Sequence, residues 1–354
     1  MWERAYHKGR ARGRPVLPRM HQLAGLPQGA CGGLLHWHAD NGHDAPQGFL
    51  QKLEHRMADS AHKGPFDSAL IRRRIRNLSL GGENAMPDFL HRRAVEEIVF
   101  RLGVINRKFE RALVCAHAPA DIRARIEASG KVGEITLAAM HEIPQGCPAQ
   151  LVLDVENLAL KPQSLDLFIS ILDLALVNDL PGALVSIRRA LKPDGLFMAV
   201  MPGGGSLREL RGAWALADAD WNGEPALRVA PFCDLKQAGA LLQMAGFALP
   251  VADSDKITLR YDGALSLMYE LKALGWANPL RGRPGRPVTR GLLARAAANY
   301  EAVHADAGGR IAATFELICM AGWAPHESQQ QPLKPGTACI PLAAVLGDDR
   351  QDDG

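Results

Sequence analysis

The stretch SLDLFISILDLALVNDLPGALVSIRRALKPDGLFMAVMPG, residues 164–203, limits the possible folds more than any other. It opens on a near-continuous apolar run, the pattern of a strand buried on both faces. A helix follows, with Asp179 at its N-cap and Pro181 in its first turn, where a missing N–H costs nothing. KPDG marks a turn, and LFMAVMPG is a second buried strand. A strand, a helix and a strand joined this tightly form a right-handed crossover between parallel neighbours.

The same alternation extends both ways. RALVCA, GEITLAAM and AQLVLDVENLAL are strand-like, and PADIRARIEAS between the first two is helical. SLRELRGAWALADADW and DLKQAGALLQMAGF are helices, DKITLRY is a strand, residues 264–304 are mostly helical, and AATFELICMAGW is a long last strand. Ahead of the alternation, ALIRRRIRNL and PDFLHRRAVEEIVFRLGVI have helical spacing. Asp88 is placed to cap the second, with Phe89, Leu90, Val95, Ile98, Val99 and Leu102 on its buried side. The expected fold class is therefore α/β, a doubly wound and mostly parallel sheet with helical insertions, ending in an antiparallel hairpin at one edge.

Composition narrows the function. A formal charge of +3 on 354 residues makes no general case for nucleic acid or an anionic membrane surface. No run approaches the length of an apolar membrane span, so no integral membrane segment is expected. The six cysteines, Cys31, Cys115, Cys147, Cys233, Cys319 and Cys339, lie far apart and read as reduced thiols. Residues 1–56 are rich in Arg, Gly, Pro and His without periodicity. They read as a disordered leader or as sequence upstream of a start at Met57, with a transit peptide as the competing reading. His36, His38 and His43 near Asp40 and Asp44 lack cysteines or a helical H-x-x-x-H, and no metal site is expected. The organisation expected is an extension (1–56), N-terminal helices (57–110), a main domain (111–345) with a helical insertion near 263–305, and an acidic tail (346–354).

Residues 164–214 resemble the middle of class I S-adenosylmethionine-dependent methyltransferases, in which ALKPDG before an apolar strand is a familiar turn. VNDLPGAL, MPGGGSLRELR, PFCDLKQAGALLQMAGF and GWAPHESQQQPLKPGTA bring the chain closer to the methyltransferase-like mitochondrial complex I assembly factors, described as arginine hydroxylases, and their proteobacterial homologues. The likeness to the malonyl-carrier-protein methyltransferases of biotin synthesis is more distant. The resemblance implies a seven-stranded Rossmann-like methyltransferase sheet, S-adenosyl-L-methionine as cofactor, and a respiratory complex subunit as partner. It implies a cytoplasmic location in a bacterium, or else the mitochondrial matrix.

Against that family the first strand departs. Where the family has approximately D-x-G-x-G, this chain has Val114, Ala116 and Ala118, with His117 between the alanines and Pro119 after them. A methyl at each glycine position narrows the approach to a cofactor, and Pro119 removes a backbone donor. The second strand ends on Ala138 and Ala139, without the acidic residue that meets ribose hydroxyls. By resemblance the pocket positions are Ala116, Ala118, Asp154, Val155 and Ile171. Asp154 either accepts from the adenine edge or caps a turn. Asp173 reads as a turn acid, with the pocket mouth as the alternative. Ala175 and Leu176 replace the family's His-Trp pair, and no catalytic residue is assigned. Two segments are placed to cover the cleft: GGGSLRELRGAW, with Arg208 and Arg211, and the insertion carrying Tyr269, Trp276 and Tyr300. Gly203–Gly205 lack the Lys-Ser/Thr of a phosphate loop. His326 and Glu327 read as a docked terminus rather than an acid/base pair. The expectation is a methyltransferase-like protein with impaired cofactor binding, related to a complex I assembly factor; the alternative is an active methyltransferase or hydroxylase on a protein or carrier-protein substrate.

Overall fold

The computed structural model describes residues 64–77, 89–117, 121–140, 142–143, 147 and 149–330. The N-terminal extension, Asp88, Ala118, Pro119, Cys339 and the acidic tail lie outside the described residues.

Two helices, α1 (Ser68–Arg76) and α2 (Phe89–Val104), precede the sheet. The chain continues through β1 (Phe109–Ala116), α3 (Ile122–Glu127), β2 (Val132–Met140), β3 (Leu151–Leu153), β4 (Leu165–Ile171), α4 (Leu180–Ala190) and β5 (Leu191–Pro202). Then come α5 (Arg208–Asn222), α6 (Leu235–Met244), β6 (Ala248–Tyr261), α7 (Ala264–Ala273), α8 (Arg290–His304) and β7 (Ile311–Trp323). The sheet order is β3-β2-β1-β4-β5-β7-β6, with β7 antiparallel to both neighbours and every other pairing parallel. This is the doubly wound Rossmann-like methyltransferase sheet. β1 and β4 are neighbours from which the chain winds outward in opposite directions, so the crevice at their carboxyl ends is the switch point of the sheet.

Each face of the sheet is roofed by helices. On β1, Ala112, Val114 and Ala116 join the core under α2, α5, α7 and α8, while Leu113 and Cys115 join the core under α4 and α6. The strand is buried both ways, which is why it lacks alternation. Asp179 caps α4 as expected, accepting from the Gly182 N–H at 2.9 Å. Asp234 and Gln237 form a reciprocal capping box on α6.

The structure departs from the sequence expectations in four places. The apolar run after Leu165 is not one strand: Leu172 takes φ 64°, its N–H bonds the Val200 carbonyl at 2.7 Å, and Asp173–Leu176 turn as a 3₁₀ helix. KPDG is built into the start of β5, with Asp194 at φ 61° and a register shift against β4. Phe89 of α2, expected on its buried side, stands exposed. The edge strand is β6, twice the length of DKITLRY, with β7 held between it and β5.

Candidate functional site

β1 runs out at Ala116 in the floor of the switch-point crevice, and His117 follows it. The His117 imidazole is buried, at 8 % exposure. Its Nδ1 lies 2.7 Å from Asp173 Oδ1 and its Nε2 lies 2.6 Å from the Met140 carbonyl oxygen. One ring therefore ties together the ends of β1, β2 and the turn leaving β4. A carbonyl only accepts, so Nε2 donates to Met140, and in the imidazolium form Nδ1 donates to the Asp173 carboxylate as well. Burial works against that charge, but the Asp173 carboxylate and the hydrogen bonds to Asp173 and Met140 outweigh it, and the His117 pKa is raised.

The sign of the pH dependence follows. A histidine whose folded pKa exceeds its unfolded value contributes stability that is whole below the unfolded value and lost as pH rises through the folded one. The urea midpoint of the wild type is expected to fall as pH rises above about 6.5, the reference histidine value. The H117N variant should lack that slope, and equal slopes in the two proteins would show that the imidazolium is not there.

Beside the bridge is a cavity of about 40 Å³, lined by His91, His117, Asp173, Leu176 and Trp276 and by Ile71 and Ile75 of α1. That is room for roughly two or three waters. The second oxygen of Asp173, Oδ2, is buried there without a hydrogen-bond partner. Three buried or half-buried cysteines are held as thiols: burial pushes Cys233 and Cys319 up to about 12, and Cys115 is raised well above its usual value.

The positions implied by resemblance are dispersed. Val114 and Ile171 are fully buried in one core, Ala116 packs beside them, and Val155 is buried under the opposite face. Asp154 caps the 3₁₀ turn Val155–Asn157, accepting from the Glu156 N–H and from Asn157 Nδ2, each at 3.1 Å. Asp173, read from sequence as a turn acid, is instead the anion of the crevice; it begins a turn, but its carboxylate points back at β1. Of the aromatics placed over the cleft only Trp276 lines it. Tyr269 is exposed, and Tyr300 is buried with its hydroxyl donating to the Ala312 carbonyl at 2.8 Å. Gly203–Gly205 wrap the Glu316 carboxylate of β7: the Gly205 N–H donates to it at 2.7 Å, and a methyl on Gly203 would stand 2.6 Å from its oxygen. The first part of the tail does dock, with Gln329 Nε2 donating to Asp194 Oδ1 and the Ala324 carbonyl, both at 2.9 Å. His326 bonds Ser328 rather than Glu327. The sequence reading missed His91 as a pocket group and the pairing of His117 with Asp173, 56 residues apart, which no local spacing signals.

With that geometry in place, the chain can be set beside known proteins. A family model described as a methyltransferase domain matches residues 131–199. The chain is 33% identical over 281 residues to the mitochondrial arginine-hydroxylase NDUFAF5 of Rattus norvegicus, covering 78% of this chain and 82% of that protein. To the Danio rerio protein of the same name it is 38% identical over 197 residues, 55% of this chain and 61% of that one. To the malonyl-[acyl-carrier protein] O-methyltransferase of Laribacter hongkongensis (strain HLHK9) it is 34% identical over 207 residues, 56% of this chain and 67% of that one. The matched segment thus spans about three fifths of the Danio rerio relative and more than four fifths of the Rattus norvegicus one.

Proposed function

The chain belongs to the family of the mitochondrial arginine-hydroxylase NDUFAF5, and from that premise we propose that it is a methyltransferase-fold protein that works by engaging a protein partner, a subunit of a respiratory complex, with its cofactor pocket given over to an internal ion pair. The His117 bridge carries this reading.

The residues present do not fit S-adenosyl-L-methionine. Its ribose and amino ends would want acidic acceptors at the ends of β1 and β2. Val114 is buried there instead, Ala138 and Ala139 are buried without a polar atom, and the Met140 carbonyl is already taken by His117. Three carboxylates beside the crevice are engaged, Asp173 with His117, Asp154 with its own turn and Glu142 with Arg76. No chemical step is therefore assigned to that ligand.

The second reading is an active methyltransferase or hydroxylase on a protein or carrier-protein substrate. The family match over residues 131–199 and the activities in the relatives' names favour it. On location, the mitochondrial names of the relatives support the matrix beside the bacterial cytoplasm. No described helix is long and apolar enough to cross a membrane.

Calorimetric titration of S-adenosyl-L-methionine into the full chain, with folding verified by a melting transition, separates the readings. The expected result is no saturable heat up to millimolar ligand. Saturable micromolar binding, lost in D154A, would overturn the closed-pocket reading and make Asp154 the adenine acceptor.

A further inference from the structure

We propose that the outer face formed by α1, residues 277–290 and the Trp221 end of α5 docks an acidic segment of a partner protein. The proposal deepens the partner half of the reading above by naming the surface and the chemistry it recognises.

α1 holds four arginines and no acid, and residues 277–290 hold four more, again with no acid. The two segments are locked into one body. The Asp67 N–H donates to the Pro279 carbonyl and the Arg281 N–H to the Pro65 carbonyl, both at 2.9 Å, and Arg74 reaches inward to the carbonyls of Ala277 and Asn278. Two cations are matched, Arg283 by Asp67 at 3.0 Å and Arg76 by Glu142 at 2.7 Å. Arg72, Arg73, Arg286 and Arg290 are exposed and make no ion pair with any described residue. The crowding is felt inside the cluster: burial first, then the Arg283 and Arg73 cations, lower the Arg74 pKa. Fixing so many guanidinium groups on one rigid face with so few acids stores repulsion, which an outside anion relieves.

An apolar element sits at the same place. Trp221 is 49 % exposed and Val288 43 %. The Trp221 ring rests on the backbone of α8 so closely that a methyl on Gly291 would stand 2.5 Å from it. Arg295 of α8 pairs with Asp220 at 2.9 Å, which fixes this end of α5 beside Arg290. Arginine beside tryptophan is the composition of a protein-binding hot spot, and guanidinium forks match carboxylates in pairs.

The same features argue against other anions. A membrane-binding helix keeps its apolar side outward, whereas Leu70, Ile71 and Ile75 of α1 are buried. A single-stranded nucleic acid is held by stacking aromatics along a cationic track, and this face has one tryptophan, at one end. The inner side of α1 lines the crevice through Ile71 and Ile75, so a docked segment lies beside it.

The test is fluorescence anisotropy of a labelled glutamate-rich peptide carrying a central leucine, titrated with the full chain. Saturable binding is expected, weakened about tenfold or more by R72E/R73E/R286E/R290E and by W221A, as hot-spot truncations do. Melting transitions serve as the folding control, since these side chains are exposed. No binding by the wild type, binding unchanged in the quadruple variant or in W221A, or tighter capture of single-stranded oligonucleotide or phosphatidylserine vesicles would each overturn the proposal. The cofactor titration reads the crevice and this one reads the outer face, so either can fail alone.

Discussion

H117A is expected to be less stable than the wild type by about 3–5 kcal/mol at neutral pH, the usual cost of removing one partner of a buried ion pair. Asp173 supplies the reason. Its side chain is 6 % exposed and one of its oxygens already lacks a partner, so the Nδ1 donor of His117 is the contact that offsets its buried charge. Loss of the ring also frees the Met140 carbonyl from its side-chain donor. Removing the charge with the donor should recover much of the loss, because the penalty lies in the orphaned carboxylate. H117A/D173N is therefore expected to be more stable than H117A by urea denaturation, with a coupling between the sites well outside error. A difference of less than about 1 kcal/mol between H117A and wild type would mean that the bridge carries little.

The second large effect lies away from the crevice. Asp218 on α5 is fully buried, and Arg228 meets it through two nitrogens at 2.7 and 2.8 Å while lying over the Trp214 ring at 5.1 Å from its centroid. R228A leaves that buried carboxylate with only the Asn222 amide as donor and strips the ring of its cover, and should cost about 3–5 kcal/mol. R228K keeps the charge but not the planar fork, and should recover only part. Denaturant midpoints of the two variants measure this directly, and R228A equal to R228K would remove the fork from the explanation.

The expected elements emerged where local chemistry decides them. The Asp179 cap, the Pro181 start and the apolar runs of β4 and β5 act over a few residues, so their places can be read along the chain. Leu172 could not be read that way. Apolar residues resume after the single Asp173, yet the strand stops at Leu172, where its N–H finds Val200 on a neighbouring strand and the backbone turns left-handed. The crevice shows the same limit. Val114, Ala116 and the missing second-strand acid are visible as departures from a family pattern. What fills the gap is not, since His117, Met140 and Asp173 come from three separate stretches that only sheet order brings together. Gly203–Gly205 look like a loop for an outside anion until β7 brings its own carboxylate to them.

The position of β7 has a consequence for synthesis. Among the described residues β6 pairs with β7 alone, and β7 is the last of the strands. At roughly 5–20 residues per second, the ribosome needs about 3–12 seconds to move from the end of β6 to the end of β7. Through that interval a fourteen-residue strand has no neighbour to bond. Its charges, Asp253 and Asp255 on one face and Lys256 and Arg260 on the other, then serve the nascent chain as much as the finished protein, keeping β6 from pairing with another copy on a neighbouring ribosome.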